Sequence, residues 1–235
     1  MSSENKMQQS TEPVEVEQKF RRLWLIRHGS TLWNSEQRFC GHSDIPLSSE
    51  GKAQARWLAR RLHTQPIAKM YTSDLLRAQQ TAEVIAAQCS QSVQIITTPS
   101  WREIAFGAWE GLTYEQITQQ FPASLSFFSD PLSAAPPGGE TLQALAQRVR
   151  QAFIELVHRD SLSGDGDIVL ISHGGPLRVL LSMVLGMALE QQWRLNLAAG
   201  SLSAIDFLPI IDDTVPIATL ALFNVQRPVR SSAQA

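Results

Sequence analysis

The chain contains two short segments with the same pattern: an apolar run, one polar residue, then His and Gly. They read LIRHG at residues 25–29 and VLISHG at residues 169–174. An apolar run of this length that stops at Gly is typical of a core strand of a parallel sheet. We therefore expect His28 and His173 just beyond the carboxyl ends of two strands, at the edge where open α/β sheets bind ligands.

Alternating strand-like and helix-like segments favour an α/β fold, with a mostly parallel, doubly wound sheet in a three-layer α/β/α arrangement. Ser48, Ser73 and Thr141 each stand before an apolar pattern of helical spacing and are predicted helix caps. Residues 101–137 mix Phe, Trp, Pro and Ser without such a period, so we expect an irregular insertion over the site. The predicted strands are the run before His173 and residues 23–26, 67–71, 93–97, 203–208 and 217–223.

Length and charge narrow the classes of protein. A chain of 235 residues, 43% of them hydrophobic, supports one large domain, which we place at residues 21–225. The polar residues 1–20 predict a disordered N-terminal tail, and residues 226–235 a C-terminal tail. The formal net charge of −2 argues against nucleic acid or a membrane surface as a partner.

Two further observations favour the cytoplasm. The chain before Arg21 lacks the apolar core of a signal peptide, and no later segment is long and apolar enough to span a bilayer. Cys40 and Cys89 are the only cysteines and form no CxxC or Cys/His pattern. This argues against a disulfide scaffold and against a structural zinc site.

Two histidines and two arginines suit phosphoryl transfer. A neutral imidazole at His28 can attack phosphorus, and the guanidinium fork of the adjacent Arg27 can bind phosphoryl oxygens. Arg77, about one turn into the helix predicted after Ser73, adds a second guanidinium near a helix N-terminus. His173 can donate a hydrogen bond in the transition state. Taken singly, each histidine could equally have a structural role at a strand end, and Arg77 could be a solvated surface residue. The repeated His-Gly pattern favours a functional site instead.

Five ordered blocks resemble the histidine phosphatase superfamily, the phosphoglycerate mutase-like proteins. The first block reads LIRHGSTLWN and starts at Leu25, and the others lie at residues 41–51, 72–82, 102–111 and 172–175. The likeness spans about residues 22–223, which is nearly everything but the tails.

The resemblance implies three catalytic residues and a phosphate pocket. His28 is the nucleophile that becomes phosphorylated, and His173 acts beside it. Glu103 is the general acid, which protonates the leaving oxygen and then activates water. The family needs no metal or organic cofactor, and the sequence offers no carboxylate cluster suited to magnesium. The phosphate-binding positions are Arg27, Arg77, Asn34 and the backbone of Gly174.

Two glutamates compete for the role of general acid. Phe106 and Trp109 predict an apolar wall beside Glu103, which would disfavour the charged form of its carboxyl group and help it to keep a proton. Glu110 is the rival, although the family has a structural Trp-Glu-Gly turn at this position. The alternative interpretation for either glutamate is a carboxylate on a solvated loop.

The sequence also bears on the choice between phosphatase and mutase. Glycolytic mutases hold the substrate carboxylate with basic residues after the general acid, but here no Lys or Arg lies between Arg102 and Arg148. Aromatic residues in the insertion could line the mouth of the site and would then favour a larger or less charged leaving group. The alternative is that several of these rings belong to the core. These aromatic residues are Trp109, Tyr114, Phe121, Phe127 and Phe128.

We therefore expect hydrolysis of a small-molecule phosphate ester, with a phosphoglycerate mutase or a non-catalytic phospho-ligand binding module as the alternatives. Residues 136–141 are similar to a stretch in α-ribazole phosphatases and broad-specificity phosphatases, so an α-ribazole phosphate-like ester or a broad set of esters is the expected substrate. Ser30 and His42 depart from the usual family residues and leave substrate details open. The sequence leaves the number of subunits open, with a homodimer as one alternative.

Overall fold

A six-stranded sheet forms the centre of the computed structural model, which describes residues 20–161, 166–208, 216 and 218–228. Its strands are β1 (Arg21–Arg27), β2 (Ile67–Ser73), β3 (Gln94–Thr98), β4 (Asp167–Ser172), β5 (Leu202–Phe207) and β6 (Ala218–Val225). They lie in the order β3-β2-β4-β1-β5-β6. The first four strands pair in parallel, whereas β5 is antiparallel to β1 and β6 is antiparallel to β5. The predicted mostly parallel sheet is confirmed.

Helices cover both faces of this sheet. The α-helices of the described residues are α1 (Leu32–Ser35), α2 (Ser49–Leu62), α3 (Leu76–Ala86), α4 (Tyr114–Gln120), α5 (Leu142–Ser161) and α6 (Gly174–Val184). Alternate residues of β4 enter two separate apolar clusters: Ile168 and Leu170 pack with α5 and α6, and Val169 and Ile171 pack with α2 and α3. Because successive side chains of a strand point to opposite faces, the three layers follow from the continuous apolar run.

The predicted tails lie mostly outside the described residues, which exclude residues 1–19 and 229–235. Ile217, the first residue of the last predicted strand, is also outside them. The predicted domain bounds therefore remain a prediction. In the part of the chain that is described, no helix has both the length and the apolar character needed to cross a membrane.

The pairing of β1 with β4 brings the two His-Gly segments together. The strands run parallel and in register, with Arg27 opposite Ser172, so the next residue of each is a histidine. The backbone N–H of His28 donates to the carbonyl of Ser172 at 3.0 Å, which extends the ladder by one residue. Both histidines thus lie at the carboxyl ends of adjacent central strands, as expected.

Two predicted helix caps are confirmed and one is wrong. Ser48 accepts a hydrogen bond from the N–H of Gly51 at 3.1 Å, and Thr141 accepts one from the N–H of Ala144 at 3.0 Å. Ser73, in contrast, is the last residue of β2, and α3 begins at Leu76.

The N-terminus of α3 is instead capped from a distant loop. The carboxylate of Asp44 accepts the N–H of Leu76 at 2.6 Å, although 32 positions separate the two residues. A capping pattern in sequence is local, and it cannot reveal a partner that only folding brings to the helix end. Arg77 is consequently the second residue of α3 rather than a residue one turn into it.

The insertion is more regular than its composition predicted. It contains α4, whose N-terminus has a capping box formed by Thr113 and Gln116, and two 3₁₀ helices (Gly107–Trp109 and Pro122–Phe128). Trp109 and Phe127 are almost fully buried and join the apolar cluster beneath α5 and α6. The insertion therefore rests on the core through these rings, and a seven-residue helix is too short to produce a clear period.

Candidate active site

His28 and His173 face each other at the end of the sheet. Their ring centroids are 5.0 Å apart and the ring planes meet at 59°. Both side chains are almost fully buried, with 2% and 0% of their surface exposed. Burial, reinforced by the charge of Arg77, lowers the pKa of each imidazole well below its usual value. Both rings are therefore neutral at neutral pH.

The hydrogen bonds of His28 fix which of its ring nitrogens carries the proton. Nδ1 lies 2.7 Å from the carbonyl oxygen of Gly29, and a carbonyl can only accept, so Nδ1 is the protonated nitrogen. Nε2 is left with its lone pair, and Nε of Arg77 donates to it at 3.3 Å. The ring thus has the tautomer that an attacking imidazole requires.

Arg77 is held inside the protein and is not the solvated surface residue that its position on a helix allowed. Its side chain is fully buried, and burial lowers its pKa. Nη1 donates to the carbonyl of Ser43 and Nη2 to the carbonyl of Gly41, both at 2.7 Å. Together with the contact to His28, these bonds engage one N–H on each of the three guanidinium nitrogens, an arrangement that lysine cannot reproduce.

Arg27 ends β1 beside the nucleophile candidate. Its Nη1 donates to the carbonyl of Leu197 at 2.6 Å, and its buried Nε has no hydrogen-bond partner among the described residues. Burial lowers its pKa, while the negative charge of Glu103 acts in the opposite direction. An ideal Cβ placed on Gly174 would lie 3.6 Å from the guanidinium carbon of Arg27, so the first residue of α6 adjoins this group.

His173 has unusual hydrogen bonding. Neither ring nitrogen has a partner among the described residues, although both are buried. A buried, unpaired polar group costs about 1–3 kcal/mol, and native proteins keep few of them. The ring lies beside His28 and near two guanidiniums, which makes His173 a donor suited to an oxyanion at this position.

Glu103 belongs to the irregular segment after a 3₁₀ helix (Pro99–Trp101), and its carboxylate reaches the N-terminus of α6. Oε1 accepts the N–H of Gly175 at 2.9 Å and the N–H of Ile104 at 3.0 Å. Its backbone carbonyl accepts Nε2–H of His42 at 2.9 Å and Nη2 of Arg148 at 3.2 Å. Side chain and backbone are therefore both fixed, although no helix or strand contains the residue.

One pocket joins most of the predicted residues. It has a volume of about 290 Å³. Its lining residues are Arg27, His28, Asn34, Gln37, Arg38, Phe39, Cys40, Arg77, Glu103 and Phe106. Five of the seven predicted positions are in this lining, and His173 and Gly174 adjoin it through His28 and Arg27. The fold thus assembles the whole predicted set.

Asn34 contributes to the pocket wall from α1. Its Oδ1 accepts the backbone N–H of Thr31 at 2.9 Å, which closes a capping box, and its amide nitrogen lies 3.8 Å from Sγ of Cys40. Cys40 is buried beside it, and burial raises the pKa of its thiol. Sequence reasoning gave Cys40 no place in the site, because its position there depends on the turn after α1.

The aromatic lining differs from the prediction. Phe39 and Phe106 line the pocket and meet edge to face at 4.9 Å. None of the five aromatic residues expected at the mouth belongs to the pocket lining. Trp109 and Phe127 are core residues, whereas Tyr114 is 55% exposed. The core therefore contains Trp109 and Phe127, and the aromatic surface of the pocket comes from Phe39 and Phe106.

Glu110, the rival acid, holds loops together. Its Oε1 accepts the backbone N–H of His42 at 2.8 Å and that of Phe106 at 3.3 Å, and its Oε2 accepts the hydroxyl of Ser43 at 2.6 Å. Its oxygens are engaged by these donors, and it does not line the pocket. The structure therefore favours the structural alternative for Glu110 and leaves Glu103 as the carboxylate that lines the pocket.

Arg148 was missed as a functional residue. It lies on α5 and donates to the backbone carbonyls of Ser100, Arg102 and Glu103, while its guanidinium pairs with Glu140 at 2.9 Å. It therefore supports the segment that carries the predicted acid. Its position in the middle of an amphipathic helix gave no sign of this role, because the segment it binds is distant in sequence.

Neutral imidazoles that lie beside guanidiniums at the end of such a sheet suit an enzyme that acts on phosphate esters. The sequence profile of the histidine phosphatase superfamily (branch 1) matches residues 23–209. The chain belongs to this superfamily, and it is an enzyme acting on phosphate esters.

Proteins similar to this chain include some named as phosphatases and some named as probable mutases. The α-ribazole phosphatase of Shigella flexneri superposes with a TM-score of 0.77 at 32% identity, covering 87% of this chain and 96% of that one. A mycobacterial glucosyl-3-phosphoglycerate phosphatase superposes with a TM-score of 0.77 at 28% identity, covering 88% and 100%. A protein of Enterobacter sp. (strain 638) named "Probable phosphoglycerate mutase GpmB" is 36% identical over 186 residues, which are 79% of this chain and 84% of that protein.

Proposed function

We propose that this protein hydrolyses small phosphomonoesters through a phosphohistidine on His28. The observation that carries the proposal is the tautomer of His28, whose unprotonated Nε2 is hydrogen-bonded to Arg77 in the pocket that Glu103 also lines. A neutral nucleophile, fixed donors for the phosphoryl oxygens and a carboxyl group are the parts that this chemistry needs.

In the first step, Nε2 of His28 forms a bond to phosphorus while the bond from phosphorus to the leaving oxygen breaks. The carboxyl group of Glu103 gives its proton to that oxygen, so the leaving group departs as an alcohol. Arg27, Arg77 and His173 donate hydrogen bonds to the phosphoryl oxygens and stabilise the charge that spreads over them in the transition state.

In the second step, the carboxylate of Glu103 takes a proton from water, and the water oxygen attacks phosphorus. The P–N bond to His28 breaks, and inorganic phosphate leaves with the neutral imidazole restored. The two N–H groups that hold Glu103 keep its carboxyl group in one place through both steps.

The leaving group that best suits the pocket has an apolar, preferably ring-shaped body and no negative charge. Phe39 and Phe106 offer apolar surface to it. Arg38 also lines the pocket, but its guanidinium pairs with Glu36 and donates to the carbonyl of Gly111 at 2.7 Å. Because Arg38 is already engaged, it is not available to bind an anionic leaving group. Its neighbour Gln37, which also lines the pocket, has a neutral amide. An α-ribazole phosphate-like ester, or a range of such esters, fits this description.

A phosphoglycerate mutase is the second candidate, and the observation that favours it is the 36% identity to a relative of that name. Against it, residues 103–147 contain no Lys or Arg to hold a substrate carboxylate. The one other arginine of the lining that is not a predicted phosphate ligand, Arg38, is already paired with Glu36. Hydrolysis is therefore the better-supported reaction.

We also infer a cytoplasmic location, with a small-molecule ester rather than nucleic acid or a membrane as the ligand. The two free cysteines and the near-neutral charge support this inference, and they give no reason to expect nucleic acid. Fractionation of cells that produce the tagged protein at native level tests the location.

The decisive experiment is to trap the phosphoenzyme and map it. Enzyme mixed with an aryl phosphate labelled on phosphorus and quenched in alkali should carry the label on His28, and His28→Ala should carry none while keeping its thermal unfolding temperature. Label on another residue, or a wild-type rate in His28→Ala, would refute the mechanism. If the enzyme acquires no label and turns over none of the esters, the result would indicate the non-catalytic alternative.

A panel of esters then separates hydrolase from mutase. We expect release of inorganic phosphate from α-ribazole phosphate and aryl phosphates, with less from phosphoserine, sugar phosphates and phosphoglycerates. Interconversion of 3- and 2-phosphoglycerate, followed by phosphorus NMR, should be slower than hydrolysis of the best ester. Faster interconversion would establish the mutase instead.

A further inference from the structure

His42 makes a contact that neither its residue type nor the proposed reaction explains. Its Nε2–H donates to the backbone carbonyl of Glu103 at 2.9 Å, across 61 positions of sequence. The side chain does not line the pocket and has no phosphate-binding role in the proposed reaction. It contacts instead the backbone of the segment that carries the predicted general acid.

The loop that carries His42 is itself firmly held. Glu110 accepts the backbone N–H of His42 and the hydroxyl of Ser43, and Arg77 binds the carbonyls of Gly41 and Ser43. Gly41 has a φ of 50°, a conformation that residues with a side chain rarely adopt, and a Cβ there would also displace the carboxylate of Glu110. His42 therefore extends from a fixed base.

The segment that accepts the bond has no regular structure of its own. Residues 102–106 belong to no helix or strand. Backbone hydrogen bonds tie Arg102, Ala105 and Phe106 to Pro99, Glu140 and Trp109, and side chains hold the rest of the segment in place. Two donors do so at the carbonyl of Glu103: Nε2 of His42 from the loop and Nη2 of Arg148 from α5. Without His42, Arg148 is the one donor of this pair left on the carbonyl, and the backbone of Glu103 is held less firmly.

We propose that His42 is a positioning residue for catalysis, which holds the backbone of Glu103 so that its carboxyl group meets the leaving oxygen opposite His28. This inference rests on the proposed function and names a further residue of the same site. The same loop positions Arg77, so it couples the phosphate-binding guanidinium to the acid within one rigid unit. A shift of about 1 Å in a catalytic group can cost a factor of about 100 in rate.

The test uses single-turnover phosphorylation of the enzyme by a series of aryl and alkyl phosphates whose leaving alcohols differ in pKa. A good leaving group needs little protonation, whereas an alkoxide needs the acid. We expect His42→Ala to lose roughly 10- to 100-fold with alkyl phosphates and less than about 3-fold with p-nitrophenyl phosphate, so its rate depends more steeply on leaving-group pKa. A loss of the same factor for all esters would overturn the inference.

Matched variants separate positioning from general damage. His42→Gln keeps an N–H donor of similar reach and should recover most of the alkyl phosphate rate, whereas His42→Asn is too short and should not. His63→Ala is the control, because exposed His63 makes the same kind of bond, from Nδ1 to the carbonyl of Gln88 at 2.6 Å, and should leave every rate unchanged. If His42→Ala does not fold, the Gln and Asn pair still decides the question.

Glu103→Gln in the same series distinguishes the two proposals. If Glu103→Gln makes the phosphorylation rate depend more steeply on leaving-group pKa and His42→Ala does not, the positioning role of His42 is wrong and the assignment of Glu103 as the acid stands. If Glu103→Gln leaves the dependence unchanged, the acid assignment itself is wrong.

Discussion

Nε of Arg77 donates to Nε2 of His28 at 3.3 Å, so the guanidinium contacts the lone pair that the proposed attack would use. The contact orients the imidazole before an ester binds, and a phosphoryl group placed between the two residues would exchange it for bonds from Arg77 to phosphoryl oxygens. The resting site is thus already close to the geometry that the reaction needs, which lowers the cost of reorganisation.

This relationship makes Arg77→Lys a sharp test. Lysine keeps the charge but cannot serve His28 and the carbonyls of Gly41 and Ser43 from one planar group. Loss of one charge-assisted hydrogen bond is worth about 1.5–3 kcal/mol, so kcat/KM should fall roughly 10- to 150-fold. Steady-state kinetics measure this, with exposed Arg60→Lys on α2 as the control. Equal losses in the two variants would contradict the assignment.

The buried histidines should make stability depend on pH. The pKa values of His28 and His173 are lowered in the folded state, mainly by burial, so the unfolded chain binds more protons once the pH falls below about 6.5. Stability is therefore full above that pH and is lost as the pH falls toward the folded values, by up to about 1.4 kcal/mol per pH unit for each histidine.

Urea unfolding between pH 7.5 and 5.5 in phosphate-free buffer measures this loss. A variant with both His28→Gln and His173→Gln should show a smaller decline in the free energy of unfolding over this range. Exposed His63→Gln should decline as the wild type does. If the free energy of unfolding falls equally steeply with pH in the wild type and the double variant, the two buried histidines are not the cause of the pH dependence.

Gly175→Ala should displace the predicted acid without unfolding the protein. A Cβ at this position would overlap with Oε1 of Glu103, the movable end of a side chain, so the carboxyl group rather than the backbone should give way. We expect a fall of roughly 10-fold or more in kcat for alkyl phosphates with little change in the unfolding temperature. In a Glu103→Gln background the same substitution should have little further effect, and additive losses would argue against this reading.

Phe106→Ala should change substrate preference. The ring lines the pocket and packs edge to face on Phe39, and contacts of this kind contribute about 0.5–1.5 kcal/mol each. We expect kcat/KM for aryl phosphates to fall roughly 2- to 10-fold more than that for phosphoserine. Tyr114→Ala, at an exposed ring outside the lining, should not change the ratio. An unchanged ratio in Phe106→Ala would remove the aromatic preference from the proposed function.

The histidine pair was predictable because its signal is local. An apolar run buried on both faces is a central parallel strand, and parallel strands end at one edge, so the residues after β1 and β4 had to come close together. The helix starts at Ser48 and Thr141 were predictable for a similar reason, since a cap and the N–H it accepts are three residues apart.

The other features of the fold and the site, which the sequence did not predict, depend on contacts between segments that are distant in sequence. Asp44 caps α3 in place of Ser73, and backbone carbonyls of Gly41 and Ser43 bind Arg77. No residue pattern records a backbone carbonyl as a ligand, because every residue has one.

The sequence by itself determined the sheet, the family and which side chains could carry phosphoryl chemistry, because periodicity and motif spacing are local properties of the chain. Tertiary structure alone decided which rings line the pocket, which tautomer His28 adopts and how His42 and Arg148 hold Glu103. These depend on distances between residues that are far apart in sequence, and such distances exist only once the core has packed.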